Sequence, residues 1–189
     1  MFKFFGLLIA FLTTFSTPAS AETRFLKIRG DHGNLATIMQ TPEKKESYPM
    51  VILMHGFTGH KYDPLISLIA DTLLKNGIAS VRFDFNGHGE SEGAFHDMTL
   101  GNEIEDAKKV YEYVRALPQV TSVSMLGHSQ GALVTSLLAG EIGEEKIKSI
   151  VLLAPPLNVR DDVLNGHLHG AWFNPYNLPE RMKIYKGNN

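Results

Sequence analysis

The sequence predicts an α/β protein built on a mainly parallel sheet with flanking helices. Three observations carry that prediction. Apolar runs of strand length alternate with amphipathic stretches from Glu22 onward. The runs Met50–Met54 and Ile150–Leu153 are continuously apolar, as in strands buried on both faces. The stretches between them carry helix punctuation, with Pro64 opening one helix, Gly77 ending it and Pro118 stopping the next.

Taken in order, Phe25–Ile28 and Leu35–Gln40 read as strands of an opening hairpin across the turn-rich Gly30-Asp31-His32-Gly33-Asn34. A polar connection from Pro42 to Pro49 leads into the strand Met50–Met54. Asp63-Pro64 opens a helix whose apolar positions are Leu65, Ile66, Leu68, Ile69, Leu73 and Leu74, and Ile78–Phe83 is the next strand. Leu100, Ile104, Ala107, Tyr111, Val114 and Leu117 line one face of a second helix. Val123–Leu126 is a strand, Gln130–Ile142 a helix and Ile150–Leu153 a strand. Beyond Ala154-Pro155-Pro156 the pattern stops, and residues 157–189 show neither a convincing strand nor a long amphipathic helix.

The opening residues are of another physical class. Lys3 precedes an apolar run from Phe4 to Phe15, followed by Pro18 and the small-residue site Ala19-Ser20-Ala21. That order is expected of a secretory signal peptide, residues 1–21, cleaved after Ala21; the run is short for a membrane span. The expected location is therefore an exported one, periplasmic or extracellular, with no membrane association after cleavage. Of the 189 residues, 43% are hydrophobic and 20% charged, an ordinary globular balance for one domain. The net charge of −2 and the scattered Lys and Arg offer no footprint for a nucleic acid. With no cysteine, the chain has no disulfide, thiolate metal site or cysteine nucleophile.

Two motifs carry chemistry. Gly127-His128-Ser129-Gln130-Gly131 fits G-x-S-x-G, with a strand before and a helix after. Such a turn must be sharp to lift the Ser129 hydroxyl above the sheet edge, and side chains two positions away would collide with neighbouring elements. The helix that follows directs its positive end toward a developing oxyanion. The second motif, His55-Gly56-Phe57-Thr58-Gly59, follows the buried strand 50–54. An oxyanion hole takes one backbone N–H from the residue after the nucleophile, Gln130, and one from this earlier loop, assigned to Phe57. His55 is expected to order the loop by hydrogen bonding rather than to act as a base. Asp84-Phe85-Asn86-Gly87-His88-Gly89-Glu90-Ser91 reads as a compact turn held by Arg82 or Asp84; it matches neither a phosphate loop nor a metal-ligand set.

HGFTGH (55–60), RFDFNGHGES (82–91) and LGHSQG (126–131), in this order and spacing, resemble the α/β-hydrolase superfamily over roughly Ala36 to Pro156. Within it the closest likeness is to bacterial feruloyl (cinnamoyl) esterases, while monoacylglycerol-lipase-like and peptidase-like members share much of the pattern. The resemblance implies a hydrolase core over 22–156 and a cap beginning in 157–189. It also implies a serine hydrolase of small-molecule carboxylic esters that needs no cofactor or metal. Ser129 would attack the ester carbonyl to form an acyl-enzyme, with Phe57 and Gln130 as the oxyanion donors. Trp172, Phe173 and Tyr176 could line an acyl pocket or pack the cap onto the core.

The superfamily's order is Ser, then Asp or Glu, then His. After Ser129 the histidines are His167 and His169, preceded by Asp161 and Asp162. Ser129…Asp162…His167 has that order, but nothing in the pattern puts these residues on strand ends. The simpler expectation is a truncated hydrolase whose last strands, acid and base are missing, leaving strand 150–153 as an open apolar edge. A hydrolase-fold protein that binds without turnover is the alternative. His167-Leu168-His169 could chelate a metal, though a solvated loop is the plainer reading.

Overall fold

A β-hairpin opens the chain: β1 (Ala21–Arg29) pairs antiparallel with β2 (Asn34–Pro42), from Ala21 opposite Pro42 to Arg29 opposite Asn34. The computed structural model describes residues 21–43, 45–168 and 171–177. The other elements are β3 (Tyr48–Met54), α1 (Pro64–Lys75), β4 (Ala79–Phe83), α2 (Leu100–Arg115), β5 (Val120–His128), α3 (Gln130–Ile142), β6 (Ile150–Leu153) and α4 (Val159–Leu164). A two-residue pair, β7 (His167–Leu168) and β8 (Ala171–Trp172), follows.

The main sheet has six strands in the order β1-β2-β4-β3-β5-β6. β2 joins β4 antiparallel, whereas β4, β3, β5 and β6 run parallel to one another. From β3 the chain crosses to β4 on one side, then returns to place β5 on the other. The loops leaving β3 and β5 therefore diverge at a switch point at the carboxyl edge of the sheet, where open α/β sheets bind their ligands.

β3 shows why the parallel strands read as unbroken apolar runs. Met50, Ile52 and Met54 point to the face covered by α2 and α3, in a cluster with Val81, Val110, Met125, Val134 and Leu138. Leu53 points the other way, onto Ile66 and Ala70 of α1 and Leu126 of β5. Both faces are buried, so neither tolerates polar alternation. On α1 the predicted stripe is wider than the buried one. Ile66 and Ala70 are enclosed, but Leu68 faces solvent because it lies about 200° around the helix from Ile66.

α2 buries two carboxyls beside its apolar stripe. Glu103 and Asp106 share the inward face with Ala107, Val110 and Val114. Asp106 accepts the backbone N–H of Asp31, in the β1–β2 turn, and of Asn86, in the loop after β4, each at 2.8 Å. One side chain thus ties two loops to a helix. β6 pairs only with β5 among the described residues, and Ile150, Val151 and Leu152 are exposed, as expected for an open apolar edge. Residues 157–168 and 171–177 form short pieces only. Trp172 is 79% exposed and Tyr176 95%, so neither packs onto the core or encloses a pocket.

Asp106→Ala leaves two amides without their acceptor, each costing about 1–3 kcal/mol when buried. The expected loss of unfolding free energy in urea is about 2–4 kcal/mol.

Candidate active site

The turn from β5 into α3 places Ser129 at φ 53°, ψ −122°, a strained backbone for a residue with a Cβ. Its own N–H donates to the Leu153 carbonyl of β6 at 2.8 Å, and its carbonyl accepts from Ala132 of α3 at 2.9 Å. The flanking glycines meet the steric demand read from the sequence. A Cβ on Gly131 would lie 2.5 Å from the Met54 carbonyl oxygen, and one on Gly127 would lie 2.5 Å from the Ala132 nitrogen. Such distances admit no side chain, so α3 starts in direct backbone contact with the end of β3.

The loop after β3 reaches the same point. A Cβ on Gly56 would be 3.0 Å from the Ser129 Cβ, which puts Phe57, the next residue, beside Ser129. The loop is bent by a left-handed Thr58 (φ 59°) and closed by the Gly59 N–H donating to the Gly56 carbonyl at 2.9 Å. His55 is buried beneath it. Its Nδ1–H donates to the Gly56 carbonyl at 2.8 Å and its Nε2 accepts the Phe85 N–H at 3.2 Å. Those bonds require a neutral ring, and burial pushes its pKa down to about 4. With both nitrogens engaged, His55 is a strut for the loop, as the sequence led us to expect.

Asp84 holds the loop after β4. Its Oδ1 accepts the Lys61 backbone N–H at 2.5 Å, and its Oδ2 accepts from Lys61 Nζ at 2.6 Å and from the Glu90 N–H at 2.8 Å. Its carbonyl accepts the Ser91 hydroxyl at 2.6 Å. Arg82, the other candidate, instead reaches Gln40 on β2. Lys61 is almost wholly buried and also donates to Glu90 Oε2 at 2.6 Å. Burial acts to lower the Lys61 pKa, but the hydrogen bonds to Asp84 and Glu90 outweigh it and leave the pKa raised. The Lys61–Asp84 pair clamps the loop after β3 to the loop after β4.

Gln130, first residue of α3, is held by its side chain. Nε2 donates to Glu103 Oε2 at 2.7 Å and contacts Met98 Sδ at 3.3 Å. Burial raises the Glu103 pKa to about 7, partly opposed by this hydrogen bond. A shallow cavity of about 440 Å³ opens nearby, lined by Thr58, His60, His88 and Phe95, with the Phe57 ring 5.5 Å from that of Phe95.

Ser129, Gly56-Phe57 and Gln130 thus converge at the switch point. Asp162 lies on α4, and the His167 ring packs 4.7 Å from Trp172. Among the described residues no hydrogen bond joins Ser129 to either of them; His169 lies outside the described residues. Nor do the described residues contain three or more His, Asp or Glu side chains grouped to hold a metal ion. Sequence reasoning missed Lys61 and Glu103. The spacing of Glu103 between Leu100 and Ala107 was the available signal, since it puts a carboxyl on the buried face of α2.

Two measurements test this geometry. Gly131→Ala should cost about 3 kcal/mol or more, whereas Gly140→Ala on the same helix, with open space around it, should stabilise by about 0.5–1 kcal/mol in urea titrations. The raised Glu103 pKa favours folding while the carboxyl is protonated. That contribution is complete below pH 4.5, the ordinary value, and is lost as pH rises through about 7. Relative to Glu103→Gln, the native chain should lose roughly 3 kcal/mol of stability between pH 4 and pH 8, read from urea midpoints.

Comparisons with known proteins agree with this geometry. Residues 45–181 match the family described as Serine aminopeptidase, S33. Among solved structures, Est1E from Butyrivibrio proteoclasticus, determined with ferulic acid bound, superimposes with a TM-score of 0.80 at 34% identity, over 86% of this chain and 66% of that one. XC6422 from Xanthomonas campestris, described as an a/b serine hydrolase without lid, is 28% identical with a TM-score of 0.57, over 64% of this chain and 57% of its own. Esterase EstD of Thermotoga maritima is 28% identical over 165 residues, which make up 83% of this chain and 38% of that protein. The chain spans just under two thirds of Est1E and well under half of EstD. With the elbow, the loop after β3 and the sheet order in agreement, the chain belongs to the S33 serine aminopeptidase family of α/β hydrolases, and its fold is similar to that of the ferulate-binding Est1E.

Proposed function

We propose that this protein hydrolyses carboxylic esters through an acyl-enzyme on Ser129. The observation that carries the reading is the contact of Gly56 with Ser129, which brings the loop bearing Phe57 against a nucleophile elbow. In the proposed reaction Ser129 Oγ attacks the ester carbonyl and its proton passes to a base. The backbone N–H groups of Phe57 and Gln130 stabilise the oxyanion, the alcohol leaves, and water releases the acid. The substrate class we favour is the aryl ester, of feruloyl or cinnamoyl type, because Est1E binds ferulic acid and is similar over most of this chain. The peptidase description of the family makes a peptide amide the second candidate. The N-terminal pattern of Lys3, apolar run and Ala19-Ser20-Ala21 supports export, with a mature chain starting at Glu22. Cleavage there would take only Ala21 from β1 and keep its pairing with β2 from Glu22 onward.

The test is hydrolysis of nitrophenyl acetate, methyl ferulate and an aminoacyl-nitroanilide by the full chain. Ester turnover should exceed that of the anilide, and Ser129→Ala should reduce it by on the order of 10³-fold or more. Turnover unchanged in Ser129→Ala, or absent from the folded chain, would overturn the reading. His167→Ala is the companion variant: a comparable loss would identify His167 as the base, and full retention would remove it.

A further inference from the structure

We propose that Glu103 is a positioning residue for the nucleophile elbow, acting through the side chain of Gln130 to fix the direction of the Gln130 backbone N–H. The inference rests on the proposed role of that N–H as an oxyanion donor.

Gln130 is the first residue of α3 and follows the left-handed Ser129. The peptide between them is tied to the helix at its carbonyl, which accepts from Ala132 at 2.9 Å and Leu133 at 3.3 Å. Its N–H lies at the helix start, where no carbonyl of the preceding turn of α3 can accept it. Its carboxamide, however, is held from a separate helix. Nε2 donates to Glu103 Oε2 at 2.7 Å and its second hydrogen faces Met98 Sδ at 3.3 Å, on the segment that leads into α2. Glu103 is 2% exposed, and burying a carboxyl there is costly for a merely structural strut. An apolar side chain would fill the same position on the apolar face of α2 without that cost. What only a polar acceptor supplies is direction. With the carboxamide of Gln130 held at its far end, the Ser129–Gln130 peptide gains a second tether beside the bonds to its carbonyl, and the heading of its N–H is narrowed further. Because burial favours the protonated form of Glu103, the acceptor sits beside the elbow without a full negative charge that would oppose an oxyanion.

The experiment compares the full chain with Glu103→Gln, Glu103→Leu, Gln130→Ala and the double variant Glu103→Leu/Gln130→Ala. The readout is the rate at which a fluorophosphonate phosphonylates Ser129, forming a P–O bond as fluoride leaves. Glu103→Leu and Gln130→Ala should each slow the reaction about tenfold, although the backbone N–H survives in both. Glu103→Gln keeps an acceptor oxygen and should restore the rate to within about threefold, and the double variant should be no slower than either single one. A stability role alone would shift melting temperature without changing the rate per folded molecule. Native-like rates in folded Gln130→Ala, or multiplicative losses in the double variant, would overturn the proposal. The second measurement needs no reactive serine: in Ser129→Ala, the backbone amide of residue 130, corrected for its intrinsic rate, should exchange about tenfold faster when Gln130→Ala or Glu103→Leu is added. If the native chain is not labelled, the hydrolase reading fails, while unchanged amide exchange overturns the positioning role by itself.

Discussion

The start of α3 lies against the end of β3 at a distance that leaves no room for a Cβ on Gly131, and the site is built around that contact. With Gly131 on the Met54 and His55 carbonyls, the chain must turn sharply after His128, and Ser129 is left at positive φ. A left-handed serine costs on the order of 1–3 kcal/mol in isolation and persists only where the surroundings over-determine it. They do so here through the Ser129 N–H bond to Leu153 on one side and the Ala132 bond on the other. The same approach brings Gly56 against the Ser129 Cβ, so one steric constraint positions both Ser129 and the loop that faces it.

Around that contact the polar groups are not spread evenly. Lys61, Asp84, Asn86, His55 and His88 are buried at the carboxyl edge of the sheet, with Glu103 and Asp106 on the helix beside it. The apolar clusters occupy the body of the sheet. Loops at that edge carry irregular backbone whose N–H and C=O groups need partners, and buried side chains provide them. Asp84 and Asp106 each accept backbone amides from distant segments, and His55 bridges two loops as a neutral ring. A hydrolytic site needs fixed dipoles more than it needs charge, because amides that are already aimed require no rearrangement as the oxyanion forms. The buried network supplies that rigidity.

The other end of the sheet contrasts with this order. β6 presents Ile150, Val151 and Leu152 to solvent, and Leu157, Trp172 and Tyr176 are exposed beyond it. Consecutive residues of a strand point to opposite faces, so among the described residues β6 is part-exposed on both faces, although α3 and the Leu53 cluster reach it, and unpaired along its outer edge. The energetic centre of the described structure therefore lies between β2 and β5, where the helices cover both faces.

The strands, helices and elbow were legible in the sequence because their signals are local. Met50–Met54 is apolar throughout since both faces are covered, Gln130–Ile142 begins where the strand-then-G-x-S-x-G pattern puts it, and Gly127 and Gly131 are spaced by the turn they permit. The width of α1's buried stripe was less legible, because Leu68 is apolar by composition and exposed by its place on the helix. The tertiary structure alone decided which polar side chains meet. Lys61 and Asp84 are 23 residues apart, Glu103 and Gln130 are 27, and Asp106 reaches Asp31 across 75. No periodicity encodes such pairings. They arise only when the crossovers bring the loops after β3, β4 and β5 to one edge, where each buried donor must find an acceptor.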